Sequence, residues 1–206
     1  MSKKEVMNII FAGVGGQGNI LVSHLLADAA LEKGDPVRLT ETFGAATRGG
    51  SVFSCVRIGE AGAPLPREHA VQVMVGLEPL ESLRRALTYL APGGWVLVNT
   101  HPWIPVDVST GRIEYPEIDQ ILDGLQRLGG KVISLDATRM AQDAGNSRMM
   151  NIVLLGGLMA LGAIDIDNKA ILTQMDKRWK KEIASANKVA FQQGFDHVRR
   201  TIQQAG

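Results

Sequence analysis

The stretch from Val6 to Gly18, VMNIIFAGVGGQG, constrains the fold of this chain more than any other. Val6–Ala12 is a short apolar, β-rich run that ends at Gly13 and reads as a buried parallel strand. Between Gln17 and Glu32, Ile20, Leu21, His24, Leu25, Asp28 and Leu31 recur at helical spacing, and Lys33-Gly34 closes the segment as a C-cap. Pro36–Thr42 then reads as a second strand. Strand, glycine turn, helix and strand in that order form a βαβ unit.

The turn itself, Gly13-Val14-Gly15-Gly16-Gln17-Gly18, satisfies G-x-G-x-x-G and sits between a strand and a helix, where its mechanism requires it. The first glycine makes the tight turn, the second admits a phosphate to the backbone, and the third lets the helix pack closely. Free N–H groups and the positive end of the helix dipole then face an anion. Glu41 lies at the end of the second strand, roughly where a ribose-binding acid sits in a Rossmann-type domain. The alternative is that the glycines serve only turning and packing. The motif does not separate NAD, FAD, CoA and a simple nucleotide.

Downstream, the spacing predicts a strand over Ser51–Ile58, a turn region over Gly59–Pro66 and a buried strand over Val71–Val75. A helix is expected over Glu78–Leu90, with Leu80, Leu83, Leu87 and Leu90 on one face. Pro92-Gly93-Gly94 turns into a strand, Trp95–Asn99; Pro116–Leu128 reads as helix and Lys131–Leu135 as strand. From Ala137 on the pattern is helical, interrupted at Gly145-Asn146 and Ala163–Asp167. The expected architecture is a single α/β domain over residues 1–206. It has three α/β/α layers, a mixed but mostly parallel sheet, a Rossmann-like first βαβ unit and a helical C-terminal third. Ser51–Ile58 follows a loop with no preceding helix, which predicts at least one antiparallel pair.

That loop is unusual. Phe43 to Gly50 is punctuated by Gly44, Gly49 and Gly50 around Arg48, with Thr47 and Ser51 adding hydroxyls. Close backbone approach beside a forked guanidinium suits anion recognition or a tight subunit contact; a solvated arginine in a flexible turn is the plainer reading. Asn99 ends a strand, where open α/β sheets place ligand groups. The candidate binding residues are therefore Gly13, Gly15, Gly16, Gln17, Gly18, Thr47, Arg48, Gly49, Gly50, Ser51 and Asn99, with no catalytic residue and no metal ligand among them.

Composition narrows the function classes. A net charge of +1 gives no support for a nucleic-acid or anionic-membrane partner. One cysteine, Cys55, cannot form an internal disulfide, hold an iron–sulfur cluster or build a zinc site. It sits mid-strand and reads as an inert core thiol. His24, His69, His101 and His197 lack metal-ligand spacing, and His24 reads as a packed side chain. The start of the chain carries no signal-peptide pattern, and Met149–Ile164 is too short for a bilayer span, so a cytoplasmic location is expected. Asn151, opening that apolar helix, is either a buried anchor or a ligand contact. Lys177–Lys181 reads as a solvated basic face on a helix.

Taken together, GVGGQG at 13–18, ETFGAATRGG at 41–50 and VRI at 56–58 resemble the γ subunits and γ domains of the 2-oxoacid:ferredoxin oxidoreductases, the pyruvate/ketoisovalerate family. GLEPLESLRRAL at 76–87, PGGWVLVNT at 92–100 and NIVLLGGLMALG at 151–162 extend the likeness over nearly the whole chain, and the Glu-Pro-Leu-Glu segment is similar to the small subunit of indolepyruvate:ferredoxin oxidoreductase. The resemblance implies a non-autonomous subunit supporting CoA-dependent oxidative decarboxylation of a 2-oxoacid, with electrons passed to ferredoxin. It implies a larger partner subunit carrying thiamine diphosphate and [4Fe–4S] clusters, and CoA as a possible ligand of the glycine loop. The alternatives are a stand-alone NAD- or FAD-binding oxidoreductase and a nucleotide-binding regulatory module.

Overall fold

A computed structural model of the chain describes residues 5–41, 50–111 and 114–205. Its centre is a six-stranded sheet in the order β2-β3-β1-β4-β5-β6. The strands are β1 (Met7–Val14), β2 (Val37–Glu41), β3 (Ser51–Ile58), β4 (Val71–Gly76), β5 (Leu90–Asn99) and β6 (Lys131–Leu135). β1, β4, β5 and β6 pair in parallel, whereas β3 runs antiparallel to both β1 and β2. The expected mixed, mostly parallel sheet is present. β3 pairs with β1 along its whole length, Met7 with Ile58 through Val14 with Ser51. It thereby separates β1 from β2, so the first βαβ crossover spans an intervening strand rather than joining neighbours.

Alternation along the strands divides the core in two. Ile9, Phe11, Val73, Val75 and Leu97 point to one face, covered by α1 (Asn19–Lys33), α5 (Ala137–Asp143), α6 (Met150–Ala160), α7 (Asn168–Arg178) and α8 (Lys181–Ala205). Ile10, Ala12, Met74, Val96 and Val98 point to the other, covered by α2 (Pro79–Tyr89) and α4 (Ile118–Arg127). The short α3 (Val106–Ser109) joins β5 to α4. The result is three layers and a helical C-terminal third.

Several local expectations shift. In α1 the buried positions are Asn19, Val22, Ser23, Leu25, Leu26, Ala27, Ala29 and Ala30, while Ile20 and Leu31 are exposed. The helix packs against β1, β2 and β3 and also touches α6 and α7, so small and medium side chains take the crowded face. Leu87 is exposed, and Leu90 belongs to β5, which begins directly after α2 rather than at Trp95. Pro92-Gly93-Gly94 is a register shift inside that strand, with Gly93 at a φ of 75°. Lys177–Lys181 does not sit on one helix: Trp179 is the C-cap of α7 and packs, half-buried, against the core before α8 starts.

α6 and α8 cross at unusually short range. A Cβ on Gly156 would lie 1.9 Å from the carbonyl oxygen of Phe191, and one on Gly194 would lie 1.9 Å from that of Val153. Each glycine makes room for the other helix's backbone.

Candidate functional site

All parallel strands end on one side of the sheet, and the glycine turn lies there between β1 and α1. The turn is held by its own chain. Gln17 is buried; its Oε1 accepts from Val14 N at 2.8 Å, and its Nε2 donates to Leu77 O at 3.2 Å. Gly13 lies against that side chain, where a Cβ would come within 2.6 Å of Gln17 Oε1. Gly15 N donates to Gly50 O at 2.9 Å, tying the turn to the stem of the neighbouring loop.

Two glycines remain for other work. Gly16 is exposed, has a φ of 103° and would meet nothing within 4 Å on its open side. Gly18 is the left-handed N-cap of α1, where a Cβ would strike Asn151 Nδ2 at 2.1 Å. So the third glycine of the motif admits α6, from across the cleft. Among the described residues no carbonyl accepts the N–H of Gly16 or Gly18.

Gly16, Gln17 and Gly18 form one wall of a cleft of about 700 Å³. Ser147 and Arg148, in a short 3₁₀ turn (Ser147–Met149), and Met150 and Asn151, at the start of α6, form the opposite wall; His101, Trp103, Thr138 and Gln142 complete it. The N-termini of α1 and α6 thus converge; α1 carries no side-chain cap, whereas the turn leading into α6 is capped by Asn146, whose Oδ1 accepts from Arg148 N at 3.0 Å. The uncapped first turn of α1 leaves N–H donors free, and the dipoles of α1 and α6 place positive potential in the same space. Arg148 is exposed there and adds a full charge, and no carboxylate lines the cleft among the described residues. The exposed indole of Trp103 offers a flat apolar surface at the rim. Together these groups suit an anionic ligand that also carries an apolar or aromatic part.

The other sequence-derived candidates are distributed around this cleft. Asn99 is fully buried: its Nδ2 donates to Leu77 O, His101 O and Thr138 Oγ1, and its Oδ1 accepts from His101 N and Thr138 N. It braces the floor beneath Thr138 and Gln17. Gly50 accepts from the glycine turn. Ser51 faces the opposite side of the sheet. Thr47, Arg48 and Gly49 lie outside the described residues. Glu41 pairs with His24 Nε2 of α1 at 3.0 Å. Cys55 is buried, and desolvation pushes its thiol up to about 12, well away from reactivity.

Behind Ser51 lies a buried polar network that the sequence reading did not single out. Glu78 and Glu81, at the start of α2, are both fully buried. Glu78 caps the helix by accepting from Glu81 N at 2.8 Å, and it accepts from Tyr115 OH at 2.5 Å. Glu81 pairs with Arg84 at 2.5 Å and accepts from Ser51 Oγ, which in turn accepts from Arg85 at 3.2 Å. Burial pushes the Glu78 carboxyl up to about 7 despite the two donors, and burial with the Glu78 contact pushes the Tyr115 phenol up as well. The sequence signal was present in Glu78-Pro79, an acidic cap followed by proline at the first helical position. The convergence of Asn151 and Arg148 on the glycine turn had no local signal, because 133 residues separate Gly18 from Asn151.

Comparison with known proteins finds relatives along nearly the whole chain. The family described as pyruvate ferredoxin/flavodoxin oxidoreductase matches residues 8–197. Indolepyruvate oxidoreductase subunit IorB of Archaeoglobus fulgidus is 36% identical over 192 residues, covering 93% of this chain and 95% of that protein. The crystal structure of pyruvate oxidoreductase subunit PORC from Thermotoga maritima superposes with a TM-score of 0.72 at 25% identity, covering 94% of this chain and 97% of that one. The fold also recurs, with a TM-score of 0.72 at 21% identity, in a 2-oxoglutarate:ferredoxin oxidoreductase from Magnetococcus marinus solved with 2-oxoglutarate, coenzyme A and succinyl-CoA bound. There the match covers 97% of this chain and 32% of that one.

Proposed function

This chain belongs to the pyruvate ferredoxin/flavodoxin oxidoreductase family, and from that we propose that its cleft holds the phosphate-bearing part of coenzyme A for a reaction completed on a larger partner subunit. The chain is the small subunit of a 2-oxoacid:ferredoxin oxidoreductase, similar to the indolepyruvate type. In that reaction a 2-oxoacid and CoA give an acyl-CoA and CO₂, and two electrons leave for ferredoxin. With one cysteine in 206 residues, this chain has too few thiolates for a [4Fe–4S] cluster. Thiamine diphosphate and the clusters therefore belong, on this reading, to the partner.

The convergence of the uncapped α1 N-terminus, the start of α6 and Arg148 on the open side of Gly16 carries the proposal. The N–H groups of the glycine turn and of the first turn of α1, with Arg148 across the cleft, would hold the pyrophosphate, and Trp103 would take an apolar part of the ligand. A stand-alone NAD or FAD enzyme fits less well. β3 stands between β1 and β2, which is not the strand order of a dinucleotide-binding Rossmann sheet.

Gly16→Val tests the proposal. Its side chain would enter the cleft where nothing else in the protein stands. The φ of 103° disfavours any L side chain, which costs ~1–3 kcal/mol and leaves the fold intact. Calorimetric titration of the assembled enzyme and of the lone chain with CoA and ADP should show at least about a tenfold loss of affinity in the variant. If the folded variant binds both ligands as the parent does, the glycines serve turning and packing alone.

A further inference from the structure

Asn151 stands in the first turn of α6 with 3% of its surface exposed, and its two amide atoms have different fates. Nδ2 donates to Gly18 O at 3.3 Å, which fixes the amide orientation, since the reverse would set two oxygens against each other. Oδ1 is buried and has no hydrogen-bond partner among the described residues. The residue lines the cleft beside Gly18 and Arg148, between the two helix N-termini. An amide oxygen can only accept, and a buried acceptor without a donor costs free energy that a suitable ligand returns.

We infer that Asn151 determines specificity in this cleft: its Oδ1 accepts a hydrogen bond from a hydroxyl carried close to the ligand's phosphate, so that phosphate compounds without such a hydroxyl bind more weakly. The inference rests on the cleft being a phosphate site, as proposed above. A site built around a buried hydrogen-bonding atom rejects the analogue lacking its partner, because the atom is then left unpaired in the complex. Bare positive potential, by contrast, ranks ligands by charge alone. Two parts of a CoA-like molecule offer the required chemistry, the ribose and the hydroxyl of the pantetheine arm. Asn151 also tethers Gly18, so a loss of affinity on mutation would not by itself distinguish reading the ligand from shaping the turn. The preference between two ligands does.

The experiment measures the affinities of pyrophosphate, ADP, 2′-deoxy-ADP, 3′-deoxy-ADP and 4′-phosphopantetheine for the full chain and the assembled enzyme. The proteins are the parent, Asn151→Ala and Asn151→Asp. In the parent, ADP should bind about tenfold more tightly than one of its deoxy forms, and Asn151→Ala should reduce that ratio to within about twofold. Asn151→Asp keeps an acceptor but loses the Gly18 tether and adds charge, so it should weaken every ligand while keeping the ratio. If the hydroxyl comes from the pantetheine arm, the ADP ratio is near one in all proteins, and 4′-phosphopantetheine weakens about tenfold in Asn151→Ala while pyrophosphate does not. The inference is overturned if pyrophosphate binds but no hydroxyl-bearing ligand shows a preference that Asn151→Ala removes. Failure of pyrophosphate and every nucleotide to bind the parent would instead sink the phosphate reading of the cleft.

Discussion

Gly156→Ala is expected to cost the fold ~3 kcal/mol or more, at the upper end of what overpacking a core does. The added methyl would sit 1.9 Å from Phe191 O and 2.8 Å from its carbonyl carbon. Those are backbone atoms of a 25-residue helix, so no side-chain rotation relieves the clash. α6 and α8 would have to separate, opening a core that includes Val153, Leu154, Phe191 and Val198. Gly194→Ala should behave similarly, since its methyl would meet Val153 O at the same 1.9 Å. For a chain of this length such a loss lowers Tm by ~6–12 °C. Gly62→Ala is the control: its Cβ would meet nothing within 4 Å, and stability should stay within ~0.5 kcal/mol. Thermal unfolding of the three variants checks this; a Gly156→Ala protein as stable as Gly62→Ala would mean that the helices do not cross as described.

A second large effect follows from Glu78. Its carboxyl ordinarily titrates near 4.5, and in the fold burial pushes it up to about 7. Between those values the folded state holds a proton that the unfolded state has released. The contribution of this group therefore declines as pH rises through the window: it is fully present below about 4.5 and gone above about 7. The shift corresponds to ~3 kcal/mol between the two ends. Glu78→Gln removes the titration. It also alters the contacts to Tyr115 and Glu81 N, a pH-independent cost of ~1 kcal/mol that cancels when slopes are compared. Urea unfolding between pH 5 and pH 8 should show the parent losing more stability than Glu78→Gln, by a margin approaching that figure. Parallel curves would mean that Glu78 stays ionised in the fold.

Much of the fold was legible because its signals are local. Val6–Ala12, the glycine turn and Lys33-Gly34 each carry their own chemistry, and the strand, turn and helix stand where those residues place them. Ser51–Ile58 was recognisable as antiparallel from the missing helix before it. What it displaces was not, since pairing to β1 on one side and β2 on the other depends on partners distant in sequence. The helical face of α2 was misjudged at Leu87 for a similar reason: periodicity marks which residues share a stripe, not where the covering helix ends. In the cleft, one wall could be read from Gly13 to Gly18. The other could not, because Arg148 and Asn151 gain meaning only when the start of α6 is brought to the start of α1. The alternatives for Asn151, buried anchor or ligand contact, meet in one side chain that is tethered to Gly18 through one atom and unpaired at the other.

On the function proposed above, coenzyme A places its phosphates between the N-termini of α1 and α6. The most direct test is a structure of the assembled enzyme with CoA bound. Phosphate density is expected within hydrogen-bonding distance of the Gly16 and Gly18 N–H groups and of Arg148, with Asn151 beside it. CoA bound elsewhere, with the cleft holding only solvent at saturating ligand, would contradict it.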